Sequence, residues 1–208
     1  EVHTEILNRT QKKILPCLAK ALSGTDLYLA GGTALALQTG HRPSIDFYFF
    51  AKRIGDPEQL YRVLKSVHLD FMILSESFET VYLDIDSVQV RFIGYDYPML
   101  QSPLVWNDYH LYLAGIDDIA CMKLSAVTNR GVRKDFIDLY YIVRNFGSLE
   151  HYIDLFIKKF QQQDIGHVVR SLVFFEDADL EPDVKMNVEL DWQDVKRAFE
   201  SWVKKISK

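Results

Sequence analysis

Tyr28-Leu29-Ala30-Gly31-Gly32-Thr33-Ala34-Leu35-Ala36-Leu37-Gln38 is the stretch on which the fold turns. The apolar run that begins at Leu27 has the length of a short strand and stops at a glycine pair, after which Thr33–Gln38 reads as a helix closed by Gly40. A glycine pair between strand and helix lets the backbone come close to a ligand. It also aims free N–H groups at the helix start, where phosphate is favoured. The Thr33 hydroxyl is a further candidate contact, although a plain tight turn uses the same residues.

Moving outward, Ser44-Ile45-Asp46-Phe47-Tyr48-Phe49-Phe50 reads as a second strand. Alternation places Asp46, Tyr48 and Phe50 on one face and Ile45, Phe47 and Phe49 on the other. A carboxylate among aromatics is rarely buried unless paired or bound to a metal, so Asp46 is a site candidate, with an exposed sheet-edge Asp as the alternative. His41-Arg42-Pro43-Ser44 precedes it, and Arg42 is of the type that clamps phosphate in a bidentate way, or else a solvated loop arginine.

Residues 4–22 carry an apolar stripe near the 3.6-residue period, which predicts one helix or two halves bent at Pro16. A helix over 57–67 and strands at 69–75, 79–85 and 88–93 follow. Helical patterns then fill 116–128, 133–146, 149–161 and 164–175, with a last helix at about 191–206. Strands first and helices afterwards predict an α+β fold: an α+β core over 1–115 and a helical region, 116–208, packed on it, with the site between the halves. The stretch from Glu176 to Asp194 holds eight acids against the single Lys185 and reads as a solvated connector.

Two charge clusters lie in the helical half. Asp117 or Asp118 suits the start of a helix. Lys123 and Arg130, seven residues apart, share a helix face, about 10 Å apart along the axis. A lysine in so apolar a stretch (Ile119, Ala120, Cys121, Met122, Leu124) needs an anionic partner or a ligand. In Arg133-Lys134-Asp135-Phe136-Ile137-Asp138, the i,i+3 and i,i+4 spacings read as surface salt bridges or as a late acidic motif.

Composition excludes several classes. With 208 residues, 48% apolar and 25% charged, the chain is neither disordered nor fibrous. A net charge of −5 argues against wholesale coating by nucleic acid while leaving room for a local basic pocket of Arg42, Lys123, Arg130, Arg133 and Lys134. Two distant cysteines, no run long enough to span a bilayer and a polar amino end predict a cytoplasmic protein without membrane contact.

Taken together, Tyr28–Leu37, His41–Asp46, Asp118–Leu124 and Arg130–Tyr140 resemble the AbiEii-type nucleotidyltransferases, toxin components of type IV toxin–antitoxin systems. The resemblance implies a polymerase-beta-like nucleotidyltransferase core followed by a C-terminal helical bundle. It implies transfer of a nucleotidyl group from an NTP to an acceptor such as a tRNA end or another RNA, and a cognate antitoxin as partner. By position, Gly31, Gly32, Thr33, Arg42 and Ser44 would cradle phosphate, and Lys123 and Arg130 would contact it. Asp46 would hold Mg²⁺, and Asp46, Lys123, Asp135 and Asp138 would form the catalytic set. The sequence departs from the family at Tyr48, where a second same-face carboxylate is usual, and Gln89 and Arg91 stand where a third is expected. A neutral phenol is a poor ligand for a hard cation. The alternative reading is therefore a degenerate nucleotide- or RNA-binding module.

Overall fold

The computed structural model describes residues 2–207, which divide into two compact units: 2–97 with 102–114, and 98–101 with 115–207.

The first unit is built on a seven-stranded mixed sheet among the described residues. After a 3-10 turn, Thr4–Ile6, come α1 (Arg9–Leu22), β1 (Tyr28–Ala30), α2 (Gly31–Thr39), β2 (Phe47–Ala51), α3 (Pro57–Ser66), β3 (Met72–Ser77), β4 (Thr80–Ile85), β5 (Val88–Gly94), β6 (Leu104–Trp106) and β7 (Leu111–Leu113). The spatial order is β3-β4-β5-β2-β1-β7-β6. β2 runs parallel to β5 and antiparallel to β1, while β1 runs parallel to β7. One sheet face is fully buried by Phe47, Phe49, Val81, Leu83, Val90 and Phe92, the ring of Phe49 lying 5.5 Å from that of Phe92. Strict alternation leaves Tyr48, Tyr82, Asp84, Gln89 and Arg91 on the other face, none of them fully buried.

Three sequence expectations shift here. The amino-terminal stripe breaks at Leu7–Asn8, not at Pro16, because Asn8 and Gln11 form a reciprocal capping box that starts α1. Pro16 sits on the solvent face of α1, and the helix continues through it. The second strand begins at Phe47, since 44–46 are held as a loop by side-chain hydrogen bonds. Strands β6 and β7 have no counterpart in the sequence reading, because three residues are too short to display a period.

The second unit is helical: α4 (Ile116–Asn129), α5 (Arg133–Asn145), α6 (Leu149–Phe160), α7 (Gly166–Ser171), α8 (Glu176–Asp179) and α9 (Trp192–Ile206). α4 packs on α5, α6 and α7, and α5 packs on α8 and α9. An aromatic cluster joins them, with Phe136 5.2 Å from Phe175, 5.9 Å from Trp192 and 5.5 Å from Phe199. Asp118 does not cap its own helix. Its carboxylate accepts from the backbone N–H groups of Leu100 and Gln101 and from the fully buried Lys159, 2.7 Å away, which also donates to the Pro98 carbonyl. That ion pair is what ties 98–101 to the helices.

The acidic stretch after Glu176 is more than a solvated connector. It contains α8 and is clamped by Arg133, whose Nε and Nη2 donate to the carbonyls of Ala178 and Asp179 and whose guanidinium lies over the Trp192 ring. Trp192 Nε1 donates to the Asp179 carboxylate at 2.6 Å, and Lys196 donates to the same group. These hydrogen bonds and the Trp192 ring offset the mutual repulsion of the acids. Among the described residues, no helix is long and apolar enough to cross a membrane.

Candidate functional site

In the sheet unit the site begins at the β1–α2 turn. Gly31 has φ +71°, a left-handed conformation in which L side chains are strained, so the glycine is required by the backbone. The helix that starts there has Ala30 at its N-cap and no side-chain cap, which leaves its first N–H groups available to an anion. The register pairs Ala30, just before the turn, with Tyr48, and Thr33 of α2 donates to the Asp46 carbonyl. The glycine turn and the carboxylate therefore share one end of the sheet.

The loop carrying Asp46 is bolted in place from behind. Thr33 Oγ1 donates to the Asp46 carbonyl, which can only accept, so the 2.6 Å contact between Ser44 Oγ and Thr33 Oγ1 has Ser44 as donor. Gln11 Nε2, fully buried on α1, donates to the Ser44 carbonyl at 2.9 Å. Both hydroxyl protons are thereby engaged where α2 meets the loop. Arg42 is buried with Nη1 donating to the Pro43 carbonyl, and His41 meets Thr39 Oγ1 through Nδ1 at 2.7 Å.

Beside Asp46 on the same face stands a stack that crosses three strands. Arg91 on β5 pairs with Tyr48 on one side and Tyr82 on the other. Its guanidinium lies 5.1 Å from the Tyr48 ring centre and 4.1 Å from that of Tyr82. Asp84 lies farther along β4, where its Oδ1 accepts from the Ser87 N–H and shapes the β4–β5 turn.

The helical unit brings the other four expected residues together. Lys123 on α4 donates to Asp135 Oδ1 and approaches Asp138 Oδ2, both at 2.8 Å. Arg130 closes a bidentate fork on Asp135 at 2.7 and 2.9 Å. Both carboxylates are fully buried, so these are not the surface bridges that the i,i+4 spacing with Lys134 suggests. Burial alone would push the Asp135 carboxyl up, but Lys123 and Arg130 outweigh it and hold it below its ordinary value. The Arg130 side chain stays about half exposed (49%). The Cys121 thiol, buried in α4, is pushed up to about 12 and is chemically quiet.

The envisaged free basic pocket is corrected by these contacts. Arg133 is committed to the 178–183 segment, Arg42 is buried, and Lys123 is held by two carboxylates. Gln11 and Tyr82 were not picked out by sequence reasoning. Gln11 could have been found as the third residue of the capping box after Asn8, whereas Tyr82 gives no local signal.

Residues 13–205 match the family of nucleotidyl transferase AbiEii toxins of type IV toxin–antitoxin systems. The chain belongs to the AbiEii family. An uncharacterized protein of Aquifex aeolicus (strain VF5), aq_aa25, is 36% identical over 201 residues, covering 95% of this chain and 96% of that protein. A candidate nucleotidyltransferase from H. pylori has a similar structure (TM-score 0.61, 20% identity, 95% of this chain and 93% of that one). MenT4, the nucleotidyltransferase toxin Rv2826c of Mycobacterium tuberculosis H37Rv, gives TM-score 0.60 at 16% identity over 94% and 83% of the two chains. The α+β fold is thus shared with these structures.

Members of such a family usually use a divalent metal, and the donors on this sheet face do not fit a pair of ions. Asp46 is the one carboxylate of the β2 motif, Tyr48 fills the second position, and Gln89 and Arg91 fill the β5 face. Among the described residues, no three His, Cys, Asp or Glu side chains converge as a metal site.

Proposed function

We propose that the protein transfers a nucleotidyl group from an NTP to an RNA hydroxyl, with a tRNA end as acceptor, and acts as the toxin of a toxin–antitoxin pair. The observation that supports this most is the shared end of the sheet, where the uncapped α2 N-terminus is tied to the Asp46 segment by the hydrogen bond from Thr33 Oγ1 to the Asp46 carbonyl. Phosphate oxygens accept from the free N–H groups of α2. The acceptor hydroxyl attacks the α-phosphorus, the new O–P bond forms as the bond to the pyrophosphate oxygen breaks, and the hydroxyl proton leaves to a carboxylate, for which Asp46, in the loop just before β2, is the available group. Within the helical unit, Lys123 is held between the buried carboxylates of Asp135 and Asp138, and Arg130 is forked to Asp135.

Pyrophosphate release from each NTP in the presence of total tRNA tests this. Wild type should release it with at least one NTP, and Asp46→Ala should not. Equal release from both proteins would contradict the assignment. A second reading, a binding module without transfer, is favoured by Tyr48 and Arg91 standing where carboxylates are usual. Its mark is NTP or RNA binding with no pyrophosphate release.

A further inference from the structure

Arg91 combines three features that are rarely found together. It projects from the centre of a sheet, its guanidinium is stacked between two aromatic rings, and among the described residues no carboxylate lies within ion-pair distance of it. A half-buried arginine without an acid normally costs stability, unless an anion arrives from outside. Stacking on Tyr48 and Tyr82 fixes the plane of the fork while leaving its N–H edge open, so little side-chain freedom is lost when two phosphate oxygens dock. The register puts this cation directly beside Tyr48, on the face that carries Asp46, with β2 between it and the strand that ends in the glycine turn.

We propose that Arg91 is the cation that receives the NTP polyphosphate on this face, in the place that a carboxylate-held second metal ion occupies in a two-metal site. This rests on reading the sheet face as a nucleotide site and does not require transfer to occur. A two-ion site needs several carboxylates to gather the ions and the ions to neutralise the phosphates. Here two of the expected acids are a phenol and a guanidinium, so the face has lost anionic charge and gained a fixed positive one. A second ion would be repelled by Arg91, whereas the triphosphate is attracted without it. Tyr48 thus has a positive role: it is one of the two rings that hold the arginine flat, which a carboxylate at that position would replace by an ion pair.

The test is calorimetric titration of the full chain with ATP, GTP, CTP, UTP and inorganic tripolyphosphate, first in EDTA and then in Mg²⁺. The NTP that binds should do so in EDTA about as tightly as in Mg²⁺. Arg91→Gln should weaken it by about tenfold or more, the loss expected for one charge-assisted contact. Arg91→Lys, which keeps the charge without the fork, should fall between, and unchanged melting temperatures show that both variants fold. Tyr48→Asp should make binding depend on Mg²⁺. Binding by wild type that vanishes in EDTA, unaltered binding by Arg91→Gln, or no binding of any of the five probes would each overturn the proposal. Pyrophosphate release by wild type together with unaltered binding by Arg91→Gln removes this role and leaves the function standing. EDTA-resistant, Arg91-dependent binding without release does the reverse.

Discussion

Lys123 shows how a single side chain can hold a set of charges that would be unstable apart. It is about 5% exposed and lies 2.8 Å from each of two fully buried carboxylates. Lys123→Met would keep the packing but leave Asp135 with Arg130 and remove the ammonium from Asp138, so we expect a loss of about 3–5 kcal/mol in urea unfolding. Asp135 gives a pH signature. Its folded pKa is below its unfolded value, so its contribution is present above about pH 4 and is lost as pH falls below that, toward the folded value. Unfolding midpoints followed from neutral to acid pH should therefore show a shallower acid limb in Asp135→Asn than in wild type. The sequence indicated that Lys123, in an apolar stretch, requires an anion, because that rule concerns one residue and its neighbours. It did not indicate which anion: helical spacing points to partners on the same helix, and the actual pairing of α4 with α5 is a matter of packing.

Among the elements, α2 carries the functional argument. Its first residue needs a left-handed backbone, and its start has no capping side chain. Gly31→Ala should cost about 1–2 kcal/mol in thermal or urea unfolding from that conformation alone, since a Cβ there meets only ordinary contacts with Tyr48, at 3.9 Å. If the loss is near zero, the turn has another conformation than the one described. The strand–turn–helix and the order of strands before helices were legible because they depend on local apolar period and glycine placement. Strands β6 and β7 were not, being three residues each and made by pairing with neighbours distant in sequence. The acidic 176–194 stretch was misread for a related reason. Its composition suits a solvated segment, yet Arg133 and Trp192 supply donors that the composition of the stretch cannot show.

At the scale of the whole molecule, the net charge of −5 conceals an uneven distribution, with acids gathered after Glu176 and Arg91 stacked between Tyr48 and Tyr82 on a sheet face. Membership of the AbiEii family was legible in four short motifs, and the family match over 13–205 agrees with them. Whether a chain with Tyr48 in the β2 motif still transfers nucleotides depends on the charge balance of one sheet face rather than on the fold. The most direct measurement is incubation with α-phosphate-labelled NTPs and total tRNA, followed by separation of the RNA, for wild type, Asp46→Ala and Tyr48→Asp. Labelled RNA is expected from wild type and none from Asp46→Ala. No label from wild type, but label from Tyr48→Asp, would contradict it and show that Tyr48 is a lesion in the site.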